Sequence, residues 1–138
     1  MTSWLIPANT KFYDVFAALA LTETYWPMNA KISDRDRIYL YLAAPHKQIG
    51  FVCEVLETGV EFAGIAKQVM PFVKGETKDG PPAKAFMKIK PLKVIPIEKD
   101  SLLGLSHLKV NGLNGMLMGA RKLENNPSLQ GYIEGVLK

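Results

Sequence analysis

The sequence predicts an α+β fold in which a strongly curved β-sheet is flanked by short helices. Two neighbouring apolar runs within residues 34–57 alternate with a two-residue period, which predicts a pair of β-strands. Apolar residues near both ends of the chain recur at three- and four-residue intervals, as on the buried face of a helix. At 138 residues the chain is long enough for a substantial core, so we expect a single domain over residues 1–138.

The first expected elements are a short strand and a helix. Residues 4–6 form the strand, and Pro7 is expected to end it because proline cannot donate to a β-ladder. Asn9 or Thr10 is then expected to cap the helix. The buried stripe of this helix is expected to consist of Phe12, Val15, Phe16 and Leu19.

Residues 22–32 show no periodicity and are expected to form a loop, although they contain the large aromatic pair Tyr25 and Trp26. Loops often carry binding residues. A tryptophan in such a loop either plugs the edge of the core or lines a pocket, and the residues alone favour the plug.

The strand pair within residues 34–57 separates two kinds of side chain. The first strand alternates between an aliphatic face and a tyrosine face, formed by Ile38, Leu40 and Leu42 and by Tyr39 and Tyr41. Pro45 belongs to the connection between the strands. The apolar alternation of the second strand is expected to run through Ile49, Phe51, Cys53 and Val55.

The centre of the chain carries weaker signals, followed by one clear strand. We expect residues 69–73 to form a short strand and residues 74–84 to be poorly ordered. Residues 85–95 form the clear strand, and its apolar positions change phase at Pro91, which predicts a β-bulge there. The bulge would return four side chains to one buried face, namely Met87, Ile89, Leu92 and Val94.

The last third of the chain is expected to be helical. Short helical turns are predicted at residues 100–103 and 106–110. Asn126 caps and Pro127 starts a terminal helix, in which Gly131 and Gly135 suggest close packing of another group. The buried stripe of the terminal helix is expected to be Leu129, Tyr132, Ile133 and Val136.

Composition excludes several protein classes. No apolar run approaches the roughly 20 residues of a membrane helix, and the start of the chain lacks a basic signal-peptide region, so we expect a cytoplasmic protein with no membrane partner. The single cysteine, Cys53, excludes an internal disulfide and is expected to be a small buried hydrophobe. The net charge of +4, with seven lysines and three acids over residues 74–99, fits weak attraction to a polyanion.

Catalytic and metal-binding patterns are hard to find. His46 and His107 have no cysteine partner and no metal-ligand spacing, so no metal or cofactor is expected. Asp34 and Asp36 alternate with arginines at a strand entrance, which favours a solvated charged turn over an acid–base pair. The sequence therefore indicates a non-enzymatic protein.

Aromatic side chains are concentrated in the first third of the chain. Flat rings can sandwich a planar base, and each stacked base contributes about 1–3 kcal/mol. Asn9 or Asn29 could read the base edge because an amide both donates and accepts. The expected base pocket comprises Trp26, Trp4, Asn9, Tyr41, Asn29 and Tyr13. The cations expected to hold phosphate groups are Lys31, Lys47, Lys88, Lys90 and Arg121.

Two sets of residues form patterns that are known from one protein family. The first set comprises residues 4–9, Tyr13 and Asp14, Trp26, residues 36–41, and Pro45. The second set comprises residues 108–113, residues 121–123, and residues 129–133. In these residues the chain resembles EVE-type domains, members of the PUA-like superfamily to which YTH and ASCH domains are related.

The resemblance implies a small, strongly bent β-barrel flanked by short helices, with a pocket for a flipped, modified base. Trp26 matches the family tryptophan that forms a pocket wall, and Asn9, Trp4 and Tyr41 match positions near the same cleft. Such domains read methylated or hydroxymethylated DNA in modification-dependent restriction systems, beside a nuclease or motor subunit. Two alternatives stay open: an RNA-binding PUA-like module, or a small nucleotide-processing enzyme that uses Asp36 or His46.

Overall fold

The structure, a computed structural model, describes residues 1–10, 13–74 and 85–138. The elements within these residues are, in chain order, β1 (Ser3–Ala8), α1 (Val15–Ala18), β2 (Thr24–Pro27), β3 (Arg37–Leu42), β4 (Gln48–Val60), α2 (Phe62–Val69), a 3₁₀ turn (Met70–Phe72), β5 (Phe86–Val94), α3 (Leu105–Val110), β6 (Arg121–Lys122), a second 3₁₀ turn (Leu123–Asn125) and α4 (Pro127–Val136). No helix in this part of the chain is both long enough and apolar enough to span a bilayer.

The six strands form one mixed sheet in the order β2-β5-β4-β3-β1-β6. The β1–β3 pair is parallel, and every other neighbouring pair is antiparallel. The predicted strand pair within residues 34–57 is confirmed as the antiparallel neighbours β3 and β4. The α+β class is likewise confirmed, with the sheet at the centre and short helices around it.

Both faces of the sheet are covered, as the alternation in β3 shows. Ile38, Leu40 and Leu42 belong to an inner cluster that also contains residues of β1, β2 and β5. Tyr39 and Tyr41 face the opposite way, into an outer cluster with residues of α3 and α4. The inner cluster is therefore enclosed by the curve of the sheet together with α1, whereas α3 and α4 pack on the outer face.

The two ends of the sheet approach each other without pairing. Trp26 of β2 and Ile6 and Ala8 of β1 share the inner cluster, although β2 and β1 are separated by three strands in the sheet order. Among the described residues no β-ladder joins β2 to β1 or β6. The bent sheet implied by the resemblance is therefore present, but it is open and does not close into a barrel.

A first irregularity bends the sheet at Gly50. Leu40 pairs with Phe51 and Tyr41 pairs with Ile49, so Gly50 has no partner on β3. The extra residue turns Ile49 into the outer cluster while Phe51 stays in the inner cluster. The expectation that both lie on one face was wrong because a bulge changes the side-chain phase. A Cβ at Gly50 would collide with Leu42, which explains the glycine.

The predicted bulge beside Pro91 is confirmed. Val52 pairs with Lys93 and Cys53 pairs with Pro91, which leaves Leu92 as the extra residue. The bulge does not return the later side chains to the core, since Leu92 is 45% exposed and Val94 is 63% exposed. Leu92 lines a surface cavity together with Glu134 and Leu137 at the end of α4, so the helix does not bury it fully.

The first elements differ from expectation in their boundaries. Pro7 lies inside β1 rather than ending it, since β6 pairs only with Trp4 and Leu5 and leaves an open edge at Pro7. The first helix begins later than predicted, with the Asp14 carboxylate accepting from the Ala17 backbone N–H. Phe12 of the predicted stripe lies outside the described residues.

Two segments have a different secondary structure from the predicted one. The expected loop over residues 22–32 contains β2, which pairs with β5 and places Trp26 on a strand. The expected short strand over residues 69–73 is instead the end of α2 and a 3₁₀ turn. Only Val73 makes an isolated bridge there, to Tyr13. The predicted poor order of residues 74–84 falls, apart from Lys74, outside the described residues.

The terminal helix agrees with the sequence pattern. The Asn126 side chain accepts from the Leu129 backbone N–H, and Pro127 is the first helical residue. Leu129 and Ile133 are buried in the outer cluster, and the rest of the predicted stripe packs against it. The predicted close packing at Gly131 and Gly135 is wrong, because the space where a Cβ would lie is open at both.

Two glycine substitutions are expected to change stability in opposite directions. Gly131→Ala should raise the free energy of unfolding by about 1 kcal/mol, since alanine favours the helix and its Cβ meets no neighbour. Gly50→Ala should lower it by about 1–3 kcal/mol because the Cβ is forced against Leu42. Urea denaturation measures both changes. A destabilised Gly131→Ala variant would contradict the open surroundings of α4.

Candidate functional site

The gap between the two ends of the sheet is a cleft of about 520 Å³. One side is formed by the end of β1, including Ile6 and Ala8, and another by Trp26 and Pro27 of β2. Val73 and the segment 118–120 complete the lining. Most of these groups are apolar, and the cleft has a size typical of small-molecule pockets, about 300–1,000 Å³.

Trp26 belongs to both the core and the cleft. Its side chain is 5% exposed and packs in the inner cluster, yet it lines the cleft. The ring of Tyr13 meets it edge to face, with centroids 5.2 Å apart and an interplanar angle of 80°. The strand pairing of Trp26 with Met87 also fixes the backbone. Both readings of this tryptophan, plug and pocket wall, therefore apply, and the wall is rigid.

Tyr13 supports this wall from the side. Its backbone bridges to Val73, and its hydroxyl donates to the Tyr25 carbonyl oxygen at 3.4 Å. Burial raises the pKa of Tyr13 to about 12, so the phenol stays protonated and neutral at physiological pH. The cleft therefore receives no negative charge from this residue.

Two asparagines lie in the lining of the cleft. Asn9 directly follows β1, and Asn29 comes two residues after β2, so they originate from opposite ends of the sheet. Both side chains are exposed. Each amide can donate and accept hydrogen bonds, which is the chemistry needed to read the edge of a heterocycle.

The other two expected pocket residues lie elsewhere. Trp4 is buried in the inner cluster, where its indole Nε1 donates to Asp36 Oδ2 at 3.0 Å. Tyr41 points to the opposite face of the sheet, into the outer cluster. Neither residue lines the cleft, so the structure brings together Trp26, Tyr13, Asn9 and Asn29 but not Trp4 and Tyr41.

Asp36 is a buried structural carboxylate, and the expectation of a solvated turn at this residue was wrong. It is 4% exposed and accepts hydrogen bonds from the backbone N–H groups of Thr2 and Ser33, both at 2.9 Å, and from Trp4. Burial would raise the pKa of Asp36, but these hydrogen bonds outweigh it and hold the pKa below the usual 3.8. Asp34 is exposed, and its carboxylate accepts a hydrogen bond from the Thr58 hydroxyl at 3.1 Å.

The expected phosphate-binding lysines lie in different places. Lys88 and Lys90 point away from Met87, which packs in the inner cluster, and Lys88 forms a 3.1 Å ion pair with Glu23. Lys47 is in the turn between β3 and β4, at the edge of a separate polar cavity. Lys31 is exposed and lies two residues after Asn29, which lines the cleft.

Arg121 has a structural task. Its guanidinium donates to the carbonyl oxygens of Asn114 at 2.6 Å and Met116 at 2.5 Å. It therefore anchors the loop that leads to the cleft segment 118–120. This use of its donors competes with the expected contact to phosphate.

Lys74 and Met118 are site residues that sequence reasoning missed. The Lys74 ammonium donates to the Thr10 carbonyl oxygen at 3.0 Å. The residues that directly precede Lys74 and Thr10, namely Val73 and Asn9, line the cleft. Met118 is exposed and lines the cleft directly. No local pattern marks either residue, since only the tertiary fold brings residues 9, 73 and 118 together.

The two histidines share a second, smaller cavity of about 150 Å³. His46 and His107 line it together with Glu98, Asp100 and Lys47. The His46 ring also meets Phe16 edge to face, with centroids 5.4 Å apart. Within residues 1–10, 13–74 and 85–138, no group of three or more His, Cys, Asp and Glu side chains is placed to hold a metal ion.

Comparisons with known proteins identify the fold. No family model matches the sequence, and no curated protein shows significant similarity to it. The structure superposes on ASCH from Zymomonas mobilis with a TM-score of 0.64 and 12% identity, covering 97% of this chain and 94% of that one. The fold is PUA-like.

Two further solved structures agree with this PUA-like fold. A protein from Pseudomonas putida has a TM-score of 0.64 at 13% identity, covering 97% of this chain and 98% of its own. A hypothetical protein from Leishmania major has a TM-score of 0.64 at 18% identity, covering 99% and 94%. At these identities the likeness concerns the fold alone.

Asp36→Asn is expected to destabilise the protein by about 1–3 kcal/mol at neutral pH, because the new amide cannot accept every hydrogen bond. Since the folded pKa is lowered, the stabilisation by Asp36 is present above pH 3.8 and is lost as the pH falls through the folded pKa. The variant should therefore lose less stability on acidification than the wild type.

Urea denaturation at neutral pH and near pH 3 measures this difference, with the exposed Asp34→Asn as the matched control. Equal stabilities of the two variants at neutral pH would show that the Asp36 hydrogen bonds do not stabilise the fold.

Proposed function

We propose that this chain is a non-catalytic nucleic-acid-binding module that takes one unstacked base into the cleft between β1 and β2. The observation that supports this most directly is the combination of a rigid indole wall with two exposed amides in one apolar cleft. Trp26 contributes the small exposed part of its indole ring to the lining, and Asn9 and Asn29 contribute amides that can donate and accept. A planar, polar-edged heterocycle matches both properties.

The energies of this binding mode are compatible with base extraction. Removing a base from a duplex costs a few kcal/mol. Stacking on an aromatic side chain contributes about 1–3 kcal/mol per base, and each hydrogen bond adds about 0.5–1.5 kcal/mol. One indole and two amides can therefore offset the extraction of one base, while cations around the cleft contribute to affinity without reading sequence.

A modified base in DNA is the proposed form of this ligand, in line with the resemblance to EVE-type domains. The inner wall beside the amides is aliphatic, with Ile6, Ala8 and Val73. A methyl group on the base would be buried against this wall, and burial of one such group contributes about 0.8 kcal/mol. We further propose that the module acts in the cytoplasm with a nuclease or motor subunit.

RNA is the second candidate ligand because the cleft is open to solvent along the gap between the sheet edges. A single-stranded RNA presents bases that are already unstacked, so the cost of extraction falls away. An enzymatic alternative would have to use His46, since both Asp36 oxygens already accept hydrogen bonds. His46 lies in the separate polar cavity and does not line the cleft.

Tryptophan fluorescence should report the base directly. The chain has two tryptophans, and only Trp26 lines the cleft. Titration with a short duplex carrying one methylated base should quench the emission of the wild type. Trp26→Phe, which keeps an aromatic ring in the core, should bind more weakly and show little quenching because the remaining Trp4 is buried in the inner cluster and does not line the cleft.

The same titration with plain duplex and with single-stranded RNA distinguishes the candidates. Tighter binding of the methylated duplex supports the DNA reader, and tighter binding of RNA supports the second candidate. Undiminished quenching in Trp26→Phe would place the ligand away from the cleft and contradict the proposal. Thermal unfolding of the variant confirms that it is folded.

Lys74 should contribute an electrostatic contact beside the cleft. Lys74→Gln is expected to weaken binding to all sequences and to reduce the slope of log K against log salt by about 1. Lys90→Gln is the matched control because Lys90 is exposed on the face of β5 that points away from Met87 and the inner cluster. A slope reduced by Lys90→Gln and not by Lys74→Gln would move the nucleic-acid path to the other face of the sheet.

A further inference from the structure

The segment between α3 and β6 contains two exposed methionines that do not pack in the core. Met116 is 78% exposed and Met118 is 80% exposed, although they are only two residues apart in sequence. Met118 lines the cleft and Met116 does not. The two methionines are therefore almost equally exposed but differ in whether they line the cleft, so comparing them isolates the effect of position at the cleft.

The loop is held firmly at both ends. The Leu113 backbone N–H donates to the Leu108 carbonyl oxygen at 2.9 Å, and the Leu113 side chain is buried in the outer cluster. At the other end the Arg121 guanidinium binds the carbonyl oxygens of Asn114 and Met116. Gly115, with φ of 68°, makes the turn between these anchors. These contacts fix the position of the loop from which residues 118–120 reach the cleft.

Met118 reaches the cleft from the sheet edge that faces Trp26. It lies three residues before β6, which pairs with β1, whereas Trp26 belongs to β2 at the other end of the sheet. Trp26 is packed and rigid, while Met118 is an exposed side chain with three rotatable bonds. A ligand between the two edges would meet one fixed aromatic wall and one adaptable apolar wall.

We propose that Met118 is a specificity-determining residue of the cleft, covering the face of a bound heterocycle and adjusting to an apolar substituent on its ring. Thioether sulfur makes favourable contacts with aromatic groups, and the unbranched side chain fills irregular gaps. Covering the ligand also removes the exposed thioether from water. This inference rests on the proposed function, because it concerns the same cleft and names the ligand class as a planar heterocycle with a small apolar group.

The test compares Met118→Ala with Met116→Ala, its matched control in the same loop. Fluorescence anisotropy measures the affinity of each for a short duplex with one methylated base and for the plain duplex. Met118→Ala should lose about three- to tenfold in affinity for the methylated duplex and less for the plain one. Met116→Ala should stay close to the wild type, and thermal unfolding should be unchanged in both because the side chains are exposed.

Equal affinities of the two variants, with the wild type binding well, would overturn the role of Met118 and leave the proposed function in place. Equal losses for methylated and plain duplex would overturn the part concerning the substituent. If the wild type binds neither duplex nor single-stranded RNA, the proposed function fails, and the inference about Met118 fails with it.

Discussion

The site depends on a sheet that curls until its two ends face each other and then stops short of pairing. In the described part of the chain β2 and the β1–β6 end enclose one apolar cluster without sharing a ladder. A flat sheet would keep Trp26 and Ala8 apart by the width of the three strands between them, and a closed barrel would fill the gap with backbone hydrogen bonds. The cleft is therefore a consequence of the degree of curvature. Extra residues at Gly50 and Leu92, each in a bulge, contribute to that curvature.

The two tryptophans illustrate how the fold assigns different tasks to the same side chain. The Trp4 indole N–H is bound by Asp36, which also fixes the backbone at Thr2 and Ser33, so this ring is part of the frame. Trp26 is slightly more buried, at 5% exposed against 8% for Trp4, but the missing neighbour beyond β2 leaves it in the wall of the cleft. A ring held this rigidly loses little conformational freedom when a ligand stacks on it, which favours affinity.

The basic side chains differ in how they are paired and in how close they lie to the cleft. Lys88 is paired with Glu23, and Lys90 lies opposite Glu54 across the strands, so neither is an isolated positive charge. Lys74 directly follows Val73 and Lys31 lies two residues after Asn29, and both Val73 and Asn29 line the cleft. The Arg121 guanidinium instead donates to carbonyl oxygens of the loop before β6. The net charge of +4 is mild, so the proposed binding of a polyanion depends on the positions of individual lysines.

The sequence by itself determined the α+β class, the β3–β4 pair, the bulge beside Pro91 and the capped terminal helix at Asn126, because periodicity and capping are local properties. It also identified Trp26, Tyr13, Asn9 and Asn29 as candidates for one site. Tertiary structure alone decided that Trp26 lies on a strand, that the cleft lies on the face of the sheet opposite Tyr41, and that Lys74 and Met118 belong beside the cleft. These outcomes depend on contacts between residues far apart in the chain, and a pattern of neighbouring residues carries no record of such contacts.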